Sequence, residues 1–149
     1  MKFTLDSNIL VYAVDSNSGD QHRVAAGLIA RAAQCDCILT LQCLAEFFNV
    51  ATRKAGLSIA NAEVVVNRWR AVFPVYPAGE SALVEAIDTV KRHSLSFWDA
   101  MLWATARQAR CRLLLTEDMH DGQTIGGVTF VNPFLSKNAT LLEAALSRP

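Results

Sequence analysis

A chain of 149 residues with 52% apolar and 19% charged side chains is long enough to bury a core and too apolar to stay disordered. Lysine plus arginine equal aspartate plus glutamate at 14 each, so zero net charge excludes bulk attraction to nucleic acid and leaves such contact to a local patch. No run of eighteen apolar residues is present, and the amino terminus lacks a signal-peptide apolar stretch, so a cytoplasmic protein is expected.

Residues 2–6 read as a short buried strand that Asp6 ends, and Ser7 to Val14 as a helical turn capped by Ser7 or Asn8. The polar loop Asp15-Ser16-Asn17-Ser18-Gly19-Asp20 precedes a helix over 21–34, where Val24, Leu28 and Ala32 recur at helical spacing. Cys37-Ile38-Leu39-Thr40 is short and β-compatible. It runs into a helix that carries Glu46 and stops at Lys54-Ala55-Gly56. Ser58 caps the next helix, which reaches about Phe73, and Pro74 and Pro77 bracket Val75-Tyr76, an extended segment at most. Further helices are expected over 80–93 and from Ser96-Phe97-Trp98-Asp99 to near Arg110. A strand at 112–116 leads into the acidic turn Glu117-Asp118-Met119-His120-Asp121-Gly122, and the strand Val128-Thr129-Phe130-Val131 ends at Asn132-Pro133. Thr140-Leu141-Leu142-Glu143 has capping-box spacing and opens a short terminal helix. Helices separate the strands and no tight hairpin dipeptide joins neighbours. The pattern predicts one α/β domain over 1–149, a short parallel sheet with helices on both faces.

Four acids stand where such a fold would gather them. Asp6 and Asp118 lie at predicted strand ends, beyond which open parallel sheets bind ligands, while Glu46 lies within a helix and Asp99 opens one. Each also has an ordinary structural reading. Asp6 would make an Asx turn, and Asp99 would answer Ser96 in a capping box. Glu46 would share a solvated face with Gln42, Asn49 and Arg53, beside an apolar stripe of Leu41, Leu44, Ala45 and Phe48. Within the acidic turn, spacing alone leaves the cleft-facing acid open. Asp118 is the expected one, with Asp121 serving the turn at Gly122 and Glu117 in solvent. Carboxylates about 4 Å apart repel by roughly 4 kcal/mol per pair near a protein surface, so a shared site needs a cation. Hard oxygen ligands select Mg2+ or Mn2+, and metal-dependent phosphate chemistry is the expectation.

Other candidate groups are weaker. Lys91, Arg92, Arg107, Arg110 and Arg112 would form a basic rim or merely solvated helix faces. Cys35, Cys37, Cys43 and Cys111 lack paired zinc-knuckle spacing and His22, His93 and His120 are scattered, so the cysteines read as small buried hydrophobes.

Three segments carry the first three acids in order: Leu5-Asp6-Ser7-Asn8-Ile9-Leu10-Val11-Tyr12, Leu44-Ala45-Glu46-Phe47-Phe48-Asn49-Val50 and Ser96-Phe97-Trp98-Asp99-Ala100. Leu115-Thr116-Glu117-Asp118-Met119, Asp121-Gly122 and Val131-Asn132-Pro133-Phe134 close the series, which covers nearly the whole chain. In order and spacing, these segments resemble the PIN-domain family, and within it the VapC-like toxin ribonucleases. The resemblance implies a doubly wound PIN fold and a catalytic acidic set of Asp6, Glu46, Asp99 and Asp118 around Mg2+ or Mn2+, with Asp6, Asp99 and Asp118 as ligands and Glu46 either a further ligand or the group that orients the attacking water. Asn8 and Thr116 would be polar supports and Asp121 an outer-sphere candidate. The implied activity is metal-dependent endoribonuclease cleavage of RNA, held in check by a cognate antitoxin. Apolar surface on residues 9–13 and 47–51 would serve an antitoxin segment or a homodimer contact.

Rival chemistries fit less well. A haloacid-dehalogenase-like phosphotransferase wants a second acid two residues after Asp6, where Asn8 stands. A receiver-like domain wants adjacent acids at the first strand end, and a flap nuclease wants a long insertion to thread a strand. A housekeeping PIN nuclease and a non-catalytic PIN-like module that binds RNA or protein stay open. The latter has no need of four mutually repelling acids.

Overall fold

The computed structural model describes residues 1–147, and the last two residues of the expected 1–149 domain lie outside the described residues. Six strands form one sheet: β1 (Phe3–Leu5), β2 (Cys37–Thr40), β3 (Val75–Tyr76), β4 (Leu113–Leu115), β5 (Thr124–Ile125) and β6 (Val128–Val131), in the order β3-β2-β1-β4-β6-β5. Seven helices accompany them among the described residues: α1 (Ser7–Val14), α2 (Asp20–Ala32), α3 (Leu41–Arg53), α4 (Ile59–Val72), α5 (Glu80–Arg92), α6 (Phe97–Gln108) and α7 (Ala139–Ala145).

The central strands β1, β2 and β4 are buried at every residue, which is why they read as unbroken apolar runs. Strand alternation sends Cys37 and Leu39 into the main core and Ile38 to a separate cluster with Ala106, Ala109 and Cys111 beside α6. Cys37, Cys43 and Cys111 are buried thiols. Phe3, Phe47 and Phe130 are the largest fully enclosed side chains.

Helix starts follow the capping chemistry of the sequence. Thr40, Ser58 and Ser96 accept from the backbone N–H groups of Cys43, Asn61 and Asp99. The first helix departs from expectation: its cap is Asp6, not Ser7 or Asn8, because Asp6 Oδ1 takes the Ser7 N–H at 2.7 Å. The terminal helix also differs. It begins at Ala139 after Asn138, and Glu143 pairs with Arg31 of α2 at 2.6 Å instead of closing a capping box.

The sheet is parallel except at one edge. β5 and β6 form an antiparallel hairpin joined by Gly126-Gly127, a turn the sequence reading overlooked. Both glycines have positive φ, 53° and 82°, the pattern of a two-residue primed turn. At Gly126 a Cβ would also stand 3.0 Å from Cζ2 of the Trp103 ring, which its hydrogen bond to the Ile125 carbonyl holds in place, so a side chain there would be crowded as well as strained.

One feature of this topology positions the site. Chain order runs outward from β1 to β2 and β3 on one side and to β4 on the other, so the crevice beyond β1 and β4 is the switch point of the sheet. Their register pairs Leu5 with Leu115, which sets Asp6 and Thr116 side by side at the carboxyl ends.

Candidate active site

Asp6 sits at the centre. It is 5% exposed, and its two carboxylate oxygens are taken separately: Oδ1 by Ser7 N–H, Oδ2 by the Thr116 hydroxyl at 2.7 Å. Burial pushes its pKa up to about 6, against the lowering effect of the Thr116 and Ser7 hydrogen bonds. The charges of Asp99 and Asp118 add to the rise.

Glu46 reaches the same place from α3. Its Oε2 accepts from Ser7 Oγ and its Oε1 from Gln42 Nε2, both at 2.8 Å. The helix presents it there because the buried face is Cys43, Leu44, Phe47 and Ala51. The expected stripe was therefore rotated: Leu41 is 52% exposed and Ala45 is exposed too, while Glu46 lies half-buried at the stripe's flank.

Asp99 lies in the first turn of α6, its backbone held by Ser96. Its carboxyl is raised by burial first, with the charges of Asp118 and Glu46 pushing the same way and the Ser96 hydrogen bond opposing. Asp118 comes from the turn after β4. Its Oδ2 accepts from Asn8 Nδ2 at 3.0 Å and its backbone N–H donates to Thr116 Oγ1 at 3.1 Å. Thr116 thus links two acids, donating to Asp6 while accepting from the backbone of Asp118.

The other acids of the turn have different duties. Asp121 Oδ1 accepts from Asn132 N–H at 2.7 Å and Asn138 Nδ2 at 2.8 Å, and Oδ2 pairs with Lys137 at 2.7 Å. The Asn132 and Lys137 contacts hold its carboxyl below the ordinary carboxylate range. Its role goes beyond the expected turn with Gly122, since it ties the turn to the chain after β6. Glu117, expected in solvent, is half-buried and accepts from the Tyr12 hydroxyl. That hydrogen bond, with burial and the Glu117 charge behind it, pushes the Tyr12 phenol up to about 12.

Two hollows flank the acids. One, about 920 Å3, is bounded by Asp99, Asp118 and Asp121 and by Arg92, His93 and His120. The other, about 580 Å3, has Glu46 and Gln42 at its edge and Leu41, Ala45, Pro77 and Trp98 around it. The expected basic rim shrinks accordingly. Arg92 alone of that group lines the polar hollow; Arg107 is paired with Glu85 at 2.8 Å, and Arg112 directly precedes β4 at the opposite end of the strands. Of the apolar surface expected at 9–13 and 47–51, Ile9, Leu10, Phe47 and Ala51 are fully buried in the core, while Val11, Tyr12, Ala13, Phe48 and Val50 stay half-buried.

The four expected acids and the expected supports Asn8 and Thr116 all lie around this crevice, and Ser7 and Gln42, which hold Glu46, were not among the expected site residues. Gln42 was visible as the residue one helical turn before Glu46 on the same polar stripe. Ser7 carried no separate signal.

Residues 3–120 match the PIN domain family. The chain belongs to the PIN-domain family. Its fold is similar to those of several solved structures. The Mycobacterium tuberculosis toxin VapC20, described as cleaving the sarcin–ricin loop, is 19% identical over 78% of this chain and 90% of its own, with a TM-score of 0.63. A toxin–antitoxin complex from Klebsiella pneumoniae is 22% identical over 89% of this chain and 98% of that one, with a TM-score of 0.65. VapBC2 of Rickettsia felis, bound to a DNA fragment from its promoter, is 14% identical over 87% and 97%, with a TM-score of 0.63. No curated protein matches the chain. Within this PIN domain, no helix among the described residues is long and apolar enough to cross a membrane.

Proposed function

We propose that this PIN domain is a cytoplasmic, metal-dependent endoribonuclease that hydrolyses RNA phosphodiester bonds, the toxin of a toxin–antitoxin pair. The supporting observation is the gathering of Asp6, Glu46, Asp99 and Asp118 at the switch point, where a buried carboxylate carries a pKa of about 6 partly through its acidic neighbours. Acids in that relation favour a shared cation.

The donor set fits Mg2+ or Mn2+. Asp6, Asp99 and Asp118 offer hard oxygens without sulfur or imidazole, and the buried Asn8 Oδ1 beside Asp118 has no hydrogen-bond partner of its own. Among the described residues no three His, Cys, Asp or Glu side chains converge closely enough to chelate an ion unaided. An ion held here would complete its shell with water and phosphate oxygens, as Mg2+ does in sites that give it only one or two carboxylates. When bound, such an ion supplies charge neutralisation at the phosphate and a lowered pKa for water. The chain supplies the rest. Thr116 and Ser7 fix the Asp6 carboxylate, Asn8 aims Asp118, and Gln42 and Ser7 aim Glu46 to orient an attacking water.

Similarity to the Klebsiella and Rickettsia complexes supports an antitoxin partner. A basic antitoxin segment lying over α3 would place an arginine or lysine among the acids as a mimic of the cation, and a homodimer is the proposed assembly. The test is cleavage of structured RNAs with Mg2+, Mn2+ or EDTA by the wild type and by Asp99→Asn. Metal-supported cleavage lost in the variant supports the reading. RNA binding without cleavage under every metal would turn it toward a non-catalytic module.

A further inference from the structure

The chain has three tryptophans. Trp69 and Trp103 are buried, 7% and 5% exposed, but Trp98 is 62% exposed although it directly precedes Asp99. An indole in water is costly apolar surface that needs an explanation. Its backbone is not loose. The Trp98 carbonyl accepts from Gln42 Nε2 at 3.0 Å, and the same amide group holds Glu46 Oε1 at 2.8 Å. One side chain therefore fixes both an acid of the site and the main chain that carries the indole. Phe97 meets the indole edge to face, centroids 5.1 Å apart at 65°, and limits its swing.

The indole borders the smaller hollow, about 580 Å3, within the roughly 300–1,000 Å3 typical of small-ligand sites. Leu41, Ala45, Pro77 and Met101 give it apolar walls, and its one charged edge is Glu46. Among the described residues no lysine or arginine lines it, so it does not suit a phosphate. Apolar walls beside a carboxylate that keeps a free lone pair on each oxygen suit a neutral ring with amino groups on its rim.

We infer that this hollow takes an unpaired nucleobase of the RNA strand, stacked on Trp98, beside the phosphate addressed by the acids. The inference rests on the nuclease reading and adds to it a base-binding subsite of this chain, with Trp98 as the residue that positions the strand beside the acids. Bases in a duplex present no free face, whereas an unstacked base gains most from an aromatic platform. The polar hollow across the acids, with Arg92, His93 and His120, then receives the strand on the other side of the phosphate.

The experiment uses the full chain with Ca2+ in place of Mg2+, a fluorescein-labelled single-stranded RNA octamer and the same octamer in duplex. Trp98 is the tryptophan an aqueous quencher reaches, so the single strand should shield wild-type emission from acrylamide and the duplex should not. Trp98→Phe keeps a π face, while Trp98→Leu keeps apolar bulk without one. Affinity by anisotropy, and KM for cleavage in Mg2+, should worsen at least about fivefold in Trp98→Leu and Trp98→Ala and stay near wild type in Trp98→Phe. Solution mass should be the same throughout. Equal binding by the Leu and Phe variants, or shielding by duplex as strong as by single strand, overturns the base pocket. A fall in solution mass that accompanies the loss overturns it too, and assigns the hollow to a contact between copies. If the wild type cuts RNA and every Trp98 variant keeps its KM, the pocket fails and the nuclease stands. If the wild type neither binds nor cuts any RNA, both fail.

Discussion

Thr116 donates its hydroxyl to Asp6 Oδ2 at 2.7 Å while accepting the backbone N–H of Asp118 at 3.1 Å. A single buried hydroxyl thereby sets the distance between the acid that ends β1 and the acid that follows β4. A methyl in its place would strip both bonds at nearly constant shape. We expect Thr116→Val to lose about 1–3 kcal/mol of stability, the usual cost of unpaired buried polar groups. RNA cleavage should fall as well. Thr116→Ser should restore both, so urea melts and initial rates on the two variants check the assignment.

Asp6 makes stability depend on pH in a definite direction. Its pKa rises from 3.8 to about 6 on folding, so the folded chain binds this proton more tightly than the unfolded one. Stability without metal is therefore full below about pH 4 and falls as pH climbs toward 6, by up to about 3 kcal/mol from this group. In EDTA, Asp6→Asn should remove that falling limb and leave the variant the more stable protein at pH 7. A wild-type stability that rises steadily between pH 4 and 6, with the variant parallel to it, would contradict the account.

Metal should act against the same repulsion. An ion that binds the folded site at 100 times its Kd adds about 2.7 kcal/mol, and a chain of this size gains roughly 2–4 °C in melting temperature per kcal/mol. Millimolar Mn2+ should raise the melting temperature of the wild type, and raise that of Asp99→Asn much less. A response identical in the two proteins would deny Asp99 a place at the ion.

The sequence carried the elements and the acids unevenly, for physical reasons. Strands buried on both faces and helices with Ser or Thr caps leave local marks, so β1, β2, β4 and the starts of α3, α4 and α6 were legible. The hairpin at Gly126-Gly127 was missed because β5 is only two residues long, too short to show alternation, although its glycines carried the signal. The rotated stripe on α3 has another cause. Leu41 and Ala45 are apolar yet border an open hollow, so hydrophobicity alone misassigned the core face. Long-range partners left no mark at all: nothing near Glu117 or Asp121 announces Tyr12, Asn138 or Lys137.

Those partners sharpen the last test, which separates the acids of the turn after β4. Asp118 is aimed by Asn8 toward the cleft it shares with Asp99. Asp118→Asn removes its charge and retains its shape, so we expect at least about a tenfold loss in rate, roughly 1.4 kcal/mol of transition-state stabilisation. Glu117→Gln still accepts from the Tyr12 hydroxyl and should cut RNA nearly as well as the wild type. Asp121→Asn loses its ion pair with Lys137 and weakens its grip on Asn132 and Asn138, so its effect should fall on stability, with kcat little changed. The three variants, assayed on one RNA at saturating Mg2+ and melted in parallel, give distinct patterns. An inactive Glu117→Gln beside an active Asp118→Asn would move the fourth carboxylate of the site to Glu117. An Asp121→Asn that melts like the wild type yet cuts slowly would bring Asp121 into the chemistry.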